Sequence, residues 1–283
     1  MADGHGVELD VVVTAWFTAP EAFVHRPSGL TAPLQVVAGL RPGARKLRCP
    51  CLAFVVRHPE AGTIVVDTGF HADAVRAPRR EFGALLSVPF RALTPAAEPF
   101  DAQLRQRSVD PAAIRQVVMT HLHLDHTSGL RLLPEAEVVC DRREWEAAHR
   151  RGAAARGYVA HHLTPVAGRL RLLDVERDGA PADGFAHTVD LLGDGSVVLL
   201  STPGHTPGHL SVLLRLADGG QVLLAGDAVY ARASVDDGAL PLLTDDDEAY
   251  RASVARLRAF AAAKPDVPIV PSHDPGAWRA LGA

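Results

Sequence analysis

Short apolar runs recur along the chain, and their make-up predicts strands before any other feature is weighed. Residues 7–17, 52–57, 63–67 and 116–120 are rich in aliphatic and aromatic side chains and are bounded by Gly, Pro or charge. The runs at 137–140, 187–191, 196–201, 209–216, 221–225 and 267–271 repeat the pattern. Gly193-Asp194-Gly195 and Asp218-Gly219-Gly220 have the chemistry of hairpin turns. Helical spacing is rarer. Residues 111–115 open on Pro111 behind a capping Asp110, and 141–151 and 245–263 are amphipathic with acidic first turns. Many strands with helices in small groups predict an α/β chain of two sheets packed together with helices outside. Residues 70–106, with Pro78, Pro89, Pro95 and Pro99, read as irregular. A stretch that long is expected to be a flap or a substrate-binding insertion, and 152–169 reads similarly.

Composition narrows the class. The chain has 283 residues, 47% of them hydrophobic and 22% charged, which suits one globular domain over 1–283 with a core of its own. A net charge of −4 offers no basic field for a phosphate backbone, so no nucleic-acid partner is expected. Cys49, Cys51 and Cys140 form no disulfide framework, and the N-terminus carries no signal pattern. No apolar run reaches the roughly 20 residues of a membrane span. A cytoplasmic protein with no membrane partner is the expectation.

The chemistry concentrates behind the strand at 116–120. His121, His123, Asp125 and His126 fall within six residues. With 14 His and 22 Asp in the chain, that arrangement is expected roughly 0.003 times by chance. Imidazole and carboxylate suit zinc, iron, cobalt or manganese. In an extended strand His121 and His123 share a side, while Asp125 and His126 follow once the chain turns. Two ligands for one metal and two for a neighbour are expected. Gly129 is compatible with a tight helix entry. Three later residues also follow strands: His205 in the Gly/Pro loop 203–208, Asp227 after Gly226, and His273 after Ser272. Singly, each reads as a turn residue; jointly they complete a site.

This ordered set resembles the metallo-β-lactamase superfamily, whose pattern is His-x-His-x-Asp-His, a Gly-His turn, an Asp and a His. All seven positions match in order, across about residues 51–274, and Asp67-Thr68-Gly69 looks like the family's early turn. The resemblance implies an αββα sandwich, two mixed β-sheets face to face with helices outside. It implies that His121, His123 and His205 bind one divalent ion, that Asp125, His126 and His273 bind a second, and that Asp227 bridges them. Zinc is the metal chosen, with iron, cobalt and manganese compatible. Asp67 is expected to orient a ligand imidazole or the turn, and His209 to be structural. The remaining histidines read as surface or satisfied core groups, with the pair His161-His162 held more open.

Within that resemblance the substrate is read from departures. True β-lactamases of the family lack the Asp at 227. Glyoxalase II carries a C-terminal extension for which ten residues after His273 leave no room. Flavodiiron proteins replace His123 by Glu. Tyr230, three residues after Asp227, matches the tyrosine that contacts the lactone carbonyl in N-acyl homoserine lactonases, and the stretches 140–148 and 205–209 also resemble that group. The implied activity is lactone opening by a metal-bridging hydroxide, with Asp125 moving the proton and Tyr230 steadying the oxyanion. Leu124 stands where that group often has Phe, so acyl preference is open. Phe82, Leu85, Leu86, Val88, Pro89 and Phe90 are expected to wall an acyl cleft, unless they are core or dimer contacts. A homodimer is common in the resembling group. Hydrolysis of another ester, thioester or phosphodiester is the alternative, and a non-catalytic metal-binding protein is the alternative of another class.

Overall fold

The computed structural model describes residues 6–39, 41, 43–87, 93–96 and 98–281. Thirteen strands are assigned among them. The first sheet holds β1 (Glu8–Pro20), β2 (Lys46–His58), β3 (Gly62–Val66), β4 (Thr94–Pro95), β5 (Gln116–Val118), β6 (Glu137–Asp141) and β7 (Leu170–Leu173), in the order β4-β1-β2-β3-β5-β6-β7. The second holds β8 (Ala180–Ala182), β9 (Phe185–Asp190), β10 (Val197–Ser201), β11 (Leu210–Arg215), β12 (Gln221–Gly226) and β13 (Ile269–Pro271), in the order β13-β12-β11-β10-β9-β8. Both sheets are mixed. β1 to β3 pair antiparallel and β3, β5, β6 and β7 parallel; in the second sheet only β12 and β13 run parallel.

The central strands are buried on both faces, which is why they read as continuous apolar runs and not as alternation. In β2, Leu52, Phe54 and Val56 face inward and meet Leu199, Val212 and Leu224 of the second sheet. Their neighbours Ala53 and Val55 point the other way, against Phe100, Leu104 and Ile114 in the outer layer. On the far side Tyr250, Val254, Leu257 and Phe260 of the long helix Asp247–Ala263 cover Leu213 and Leu223. The layers are therefore helix, sheet, sheet, helix, as expected. No helix among the described residues is long and apolar enough to cross a membrane.

Several expectations need correction. The described residues of 70–106 are not irregular throughout: they include helices Ala72–Arg76, Pro78–Leu86 and Phe100–Gln106 and the edge strand β4. Pro78 opens its helix and Pro99 stands at the N-cap of the next, where a missing N–H costs nothing, while Pro95 lies in the edge strand. Residues 152–169 likewise form short turns of helix at Ala153–Arg156, Ala160–Leu163 and Thr164–Arg169. The long helix starts at Asp247, because Asp246 caps it by accepting from the Glu248 and Ala249 N–H groups at 2.8 and 3.0 Å. His5, Val88, Pro89 and Phe90 lie outside the described residues, as do the side chains of Leu85 and Leu86.

Candidate metal centre

β5 stops at Val118, two residues earlier than the apolar run suggested, so His121 and His123 leave on an extended loop. Asp125 and His126 sit on the single helical turn Leu124–Thr127, with His123 at its N-cap. The turn after β3 locks this geometry. Asp67, at φ +55°, accepts from the Thr120 N–H at 2.9 Å, the Thr120 hydroxyl at 2.7 Å and His126 Nδ1 at 2.8 Å. The Asp67–Gly69 turn lies so close to the motif that a Cβ on Gly129 would fall 2.4 Å from the Thr68 carbonyl oxygen. Gly129 is thus required by close approach, not by helix entry.

The second sheet brings the remaining groups. His205 lies on the loop after β10, Asp227 directly follows β12, and His273 follows β13. All seven expected ligands converge. His123 Nδ1 and His205 Nε2 are 3.0 Å apart, and His121 joins them. His273 Nε2 lies 3.3 Å from both Asp125 Oδ2 and Asp227 Oδ2, and His126 Nε2 lies 3.6 Å from Asp227 Oδ1. Asp227 reaches toward both groups, with its Oδ2 3.5 Å from His205 Nε2. His121, His123 and His205 form one group able to hold an ion, and Asp125, His126 and His273 another.

The hydrogen bonds decide which nitrogens are free. Thr120 Oγ1 donates to Asp67, so at 3.1 Å it accepts from His121 Nδ1. His126 Nδ1 donates to Asp67 and His273 Nδ1 to the Pro50 carbonyl at 2.9 Å. Each ring therefore turns Nε2 inward. His121 Nε2, His126 Nε2, His273 Nε2 and Asp227 Oδ1 are buried without a hydrogen-bond partner. Buried polar atoms are almost always satisfied, and four orphans aimed at one space fit bound cations. His209 differs. Its Nε2 accepts from the Asp227 N–H at 2.9 Å and its Nδ1 meets Thr202 Oγ1 at 2.9 Å, so it is structural, as expected.

Electrostatics splits the site in two. Burial, reinforced by neighbouring imidazoles, pushes His121 well below its ordinary value and His123 down to about 3. His126 experiences the same burial, but the carboxylates of Asp67, Asp125 and Asp227 outweigh it and hold the ring up at about 9. His273 is likewise raised against burial by Asp227 and Asp125. In return Asp125, despite burial, is held down at about 2 by His126 and His273. Without bound ions, one half of the site favours neutral imidazoles, and the other favours the protonated form of rings that face carboxylates.

A sequence profile described as the Metallo-beta-lactamase superfamily matches residues 47–273. The chain belongs to that superfamily. Among its relatives, N-acyl homoserine lactonase AttM of Agrobacterium fabrum is 34% identical over 231 residues, which is 81% of this chain and 83% of the relative. A solved N-acyl homoserine lactone hydrolase, with the product N-hexanoyl-L-homoserine at its catalytic metal center, superposes with a TM-score of 0.72 at 22% identity, covering 97% of this chain and 96% of that one. AidC, a dizinc quorum-quenching lactonase, superposes with a TM-score of 0.66 at 15% identity over 97% and 92%. The superfamily fold is thus the one described above.

Beside the seven groups lies a cavity of about 360 Å³, lined in part by Phe23, Leu243, Tyr158 and Arg156. Tyr230 lines it, with its hydroxyl 3.4 Å from His205 Nδ1 and its ring 4.9 Å from that of Phe23. None of the described residues in 70–106 lines it. Phe82, expected there, is buried against Phe70. Its apolar wall comes instead from Phe23, Leu124, Ala155 and Leu243. Phe23 and Leu243 gave no sequence signal, since single apolar residues in loops read as ordinary packing. The pair His161-His162 belongs elsewhere. His162 is engaged at both nitrogens, by Thr127 at 2.9 Å and Glu81 at 3.1 Å, and Glu81 is also held by Arg131 and Ser128. Protein donors saturate that cluster.

Proposed function

We propose that this chain opens the lactone ring of N-acyl homoserine lactones with two divalent metal ions, zinc, in the seven-residue site. The observation that carries the reading is the convergence of unpartnered ligand atoms from both sheets beside an apolar cavity. The relationship to a lactonase at 34% identity over most of both chains supports that substrate. His121 Nε2, His123 Nδ1 and His205 Nε2 would hold one ion; Asp125, His126 Nε2 and His273 Nε2 the other; Asp227 both. Bound there, the ions supply a water of lowered pKa and Lewis acidity at the carbonyl oxygen.

The protein groups do the rest. Asp125 lines the cavity and is a carboxylate at neutral pH, so it can take the proton of the attacking water. It returns that proton to the ring oxygen as the ester C–O bond breaks, leaving an N-acyl homoserine. Burial, with the nearby Asp227 and Asp125 charges, pushes the Tyr230 phenol well above its ordinary value. Tyr230 therefore keeps its proton and donates it as a hydrogen bond to the developing oxyanion. Phe23, Leu124 and Leu243 offer the acyl chain an apolar wall. The test is hydrolysis of N-hexanoyl homoserine lactone by metal-loaded protein, with His123→Ala as control. Ring opening by the wild type alone is expected. Two bound ions without ring opening would leave the site standing and overturn the substrate.

A further inference from the structure

Glu144, on the helix Arg142–Ala148, is fully buried. Its Oε1 accepts from the Leu122 N–H at 2.9 Å and the Tyr158 hydroxyl at 3.1 Å, and its Oε2 accepts from the Gly208 N–H at 3.1 Å. Leu122 stands between His121 and His123, and Gly208 lies three residues beyond His205. A single carboxylate thus fastens both loops that carry the three-histidine group. Tyr158 extends the clamp: its ring lies 4.9 Å from that of His123, and the two residues form a backbone bridge. The approach is close enough that a Cβ on Gly208 would fall 2.3 Å from the Glu144 nitrogen. Among the described residues no lysine or arginine pairs with Glu144. A buried carboxylate without a cation costs more than an apolar side chain of equal size, so packing alone does not account for it.

We propose that Glu144 is a positioning residue for one metal subsite, setting the spacing of His121, His123 and His205 through the backbone of their loops. The proposal rests on the two-ion reading above. Asp67 touches the His126 ring of the other subsite directly and reaches His121 only through Thr120, whereas Glu144 touches backbone N–H groups and a phenol. Glu144 therefore acts on distance and leaves the proton affinity of the ligand rings unchanged. In Glu144→Gln the amide N–H₂ must face either the Leu122 or the Gly208 N–H, neither of which can accept, and the two loops separate. Removing such supporting partners typically weakens metal binding ~10–100-fold.

The experiment titrates metal-free wild type and Glu144→Gln with Zn(II) against a chelating competitor, and measures zinc anomalous scattering from crystals of each at limiting zinc. Two ions are expected in the wild type. In the variant one ion should weaken ~10–100-fold, equally across pH, with occupancy lost at His121, His123 and His205. Tyr158→Phe keeps the carboxylate, removes one donor, and should weaken the same ion by less. Unchanged binding of both ions in Glu144→Gln, or equal weakening of both, overturns the positioning role. Should Glu144→Gln fail to fold, an unshifted ion in Tyr158→Phe overturns it instead. A wild type that binds fewer than two ions overturns the two-ion reading, and this proposal with it.

Discussion

Replacing Asp67 by Asn tests how the Asp125–His126–His273 half of the site is held. The backbone tolerates the change, because Asn, like Asp, is among the few residues enriched at positive φ, and Asp67 sits at +55°. The shape is also retained. The loss is electrostatic: the carboxylate accepts from Thr120 N, Thr120 Oγ1 and His126 Nδ1, and an amide must present N–H₂ to one of them. The Thr120 hydroxyl oxygen has two lone pairs and can accept from the amide while still accepting from His121 Nδ1, so the bond to His126 Nδ1 is the one at risk. A hydrogen bond to a charged acceptor contributes about 1.5–3 kcal/mol. At 1.4 kcal/mol per factor of ten, that is a ~10- to 150-fold loss of affinity for the ion on His126 Nε2. The assay is a two-site Zn(II) titration against a chelator, with circular dichroism to confirm the fold. One ion should weaken by that factor while the other stays within about twofold. If both ions bind as in the wild type, His126 is oriented by packing and not by Asp67, and the reasoning fails.

Tyr230→Phe removes the hydroxyl in the cavity and should lower kcat ~10²–10³-fold with metal content unchanged; an unchanged rate removes Tyr230 from the chemistry. Asp245→Ala breaks an exposed ion pair with Arg156 at the cavity wall, so stability should change by less than about 1 kcal/mol while preference shifts toward longer acyl chains. An unchanged ratio of kcat/KM between long and short chains would show that the pair does not bound the acyl path. In metal-free protein His126 is held up at about 9 against an ordinary value of about 6.5, so its stabilising contribution is complete below ~6.5 and is lost as pH rises through 9. Tm of the apo-protein should fall across that window. Zn(II) affinity at His126 should rise over the same window, because binding displaces the proton. An apo Tm that rises, or two ions with the same pH dependence, would contradict the assignment.

The seven converging residues were legible in the sequence because each stands behind an apolar run, and a cluster of three histidines and an aspartate within six residues has no packing explanation. His209 was legible for the opposite reason: a loop histidine four residues from a ligand has room for a structural role, and its two nitrogens are spent on Asp227 and Thr202. Glu144 was not. Its partners Leu122 and Gly208 are backbone donors 22 and 64 residues away, and a carboxylate on an amphipathic helix ordinarily reads as a solvated face. Phe82 was misplaced for a related reason. It stood in an apolar cluster that read as a cleft, yet it serves the core, while Phe23, Leu124 and Leu243, distant in sequence, line the cavity. Patterns local in sequence carry ligands and strands; contacts between remote loops carry the supports.

The division of ligands between the sheets has a further consequence. His121, His123, Asp125 and His126 follow β5 of the first sheet, whereas His205, Asp227 and His273 follow β10, β12 and β13 of the second. Both three-residue groups of this site draw from both sheets, since His205 joins His121 and His123, and His273 joins Asp125 and His126. Bound ions would therefore cross-link the sandwich at one rim. Between the sheets the contacts are apolar and non-directional, and they fix distance better than lateral register. Directional links at the rim include the Leu210 N–H to the Thr120 carbonyl at 2.8 Å, His273 Nδ1 to the Pro50 carbonyl, and the two ends of Glu144. Such bonds would hold the two halves of each candidate ligand set together before any ion arrives. The core supplies the stability of the sandwich, and this short polar seam supplies the registration on which the chemistry depends.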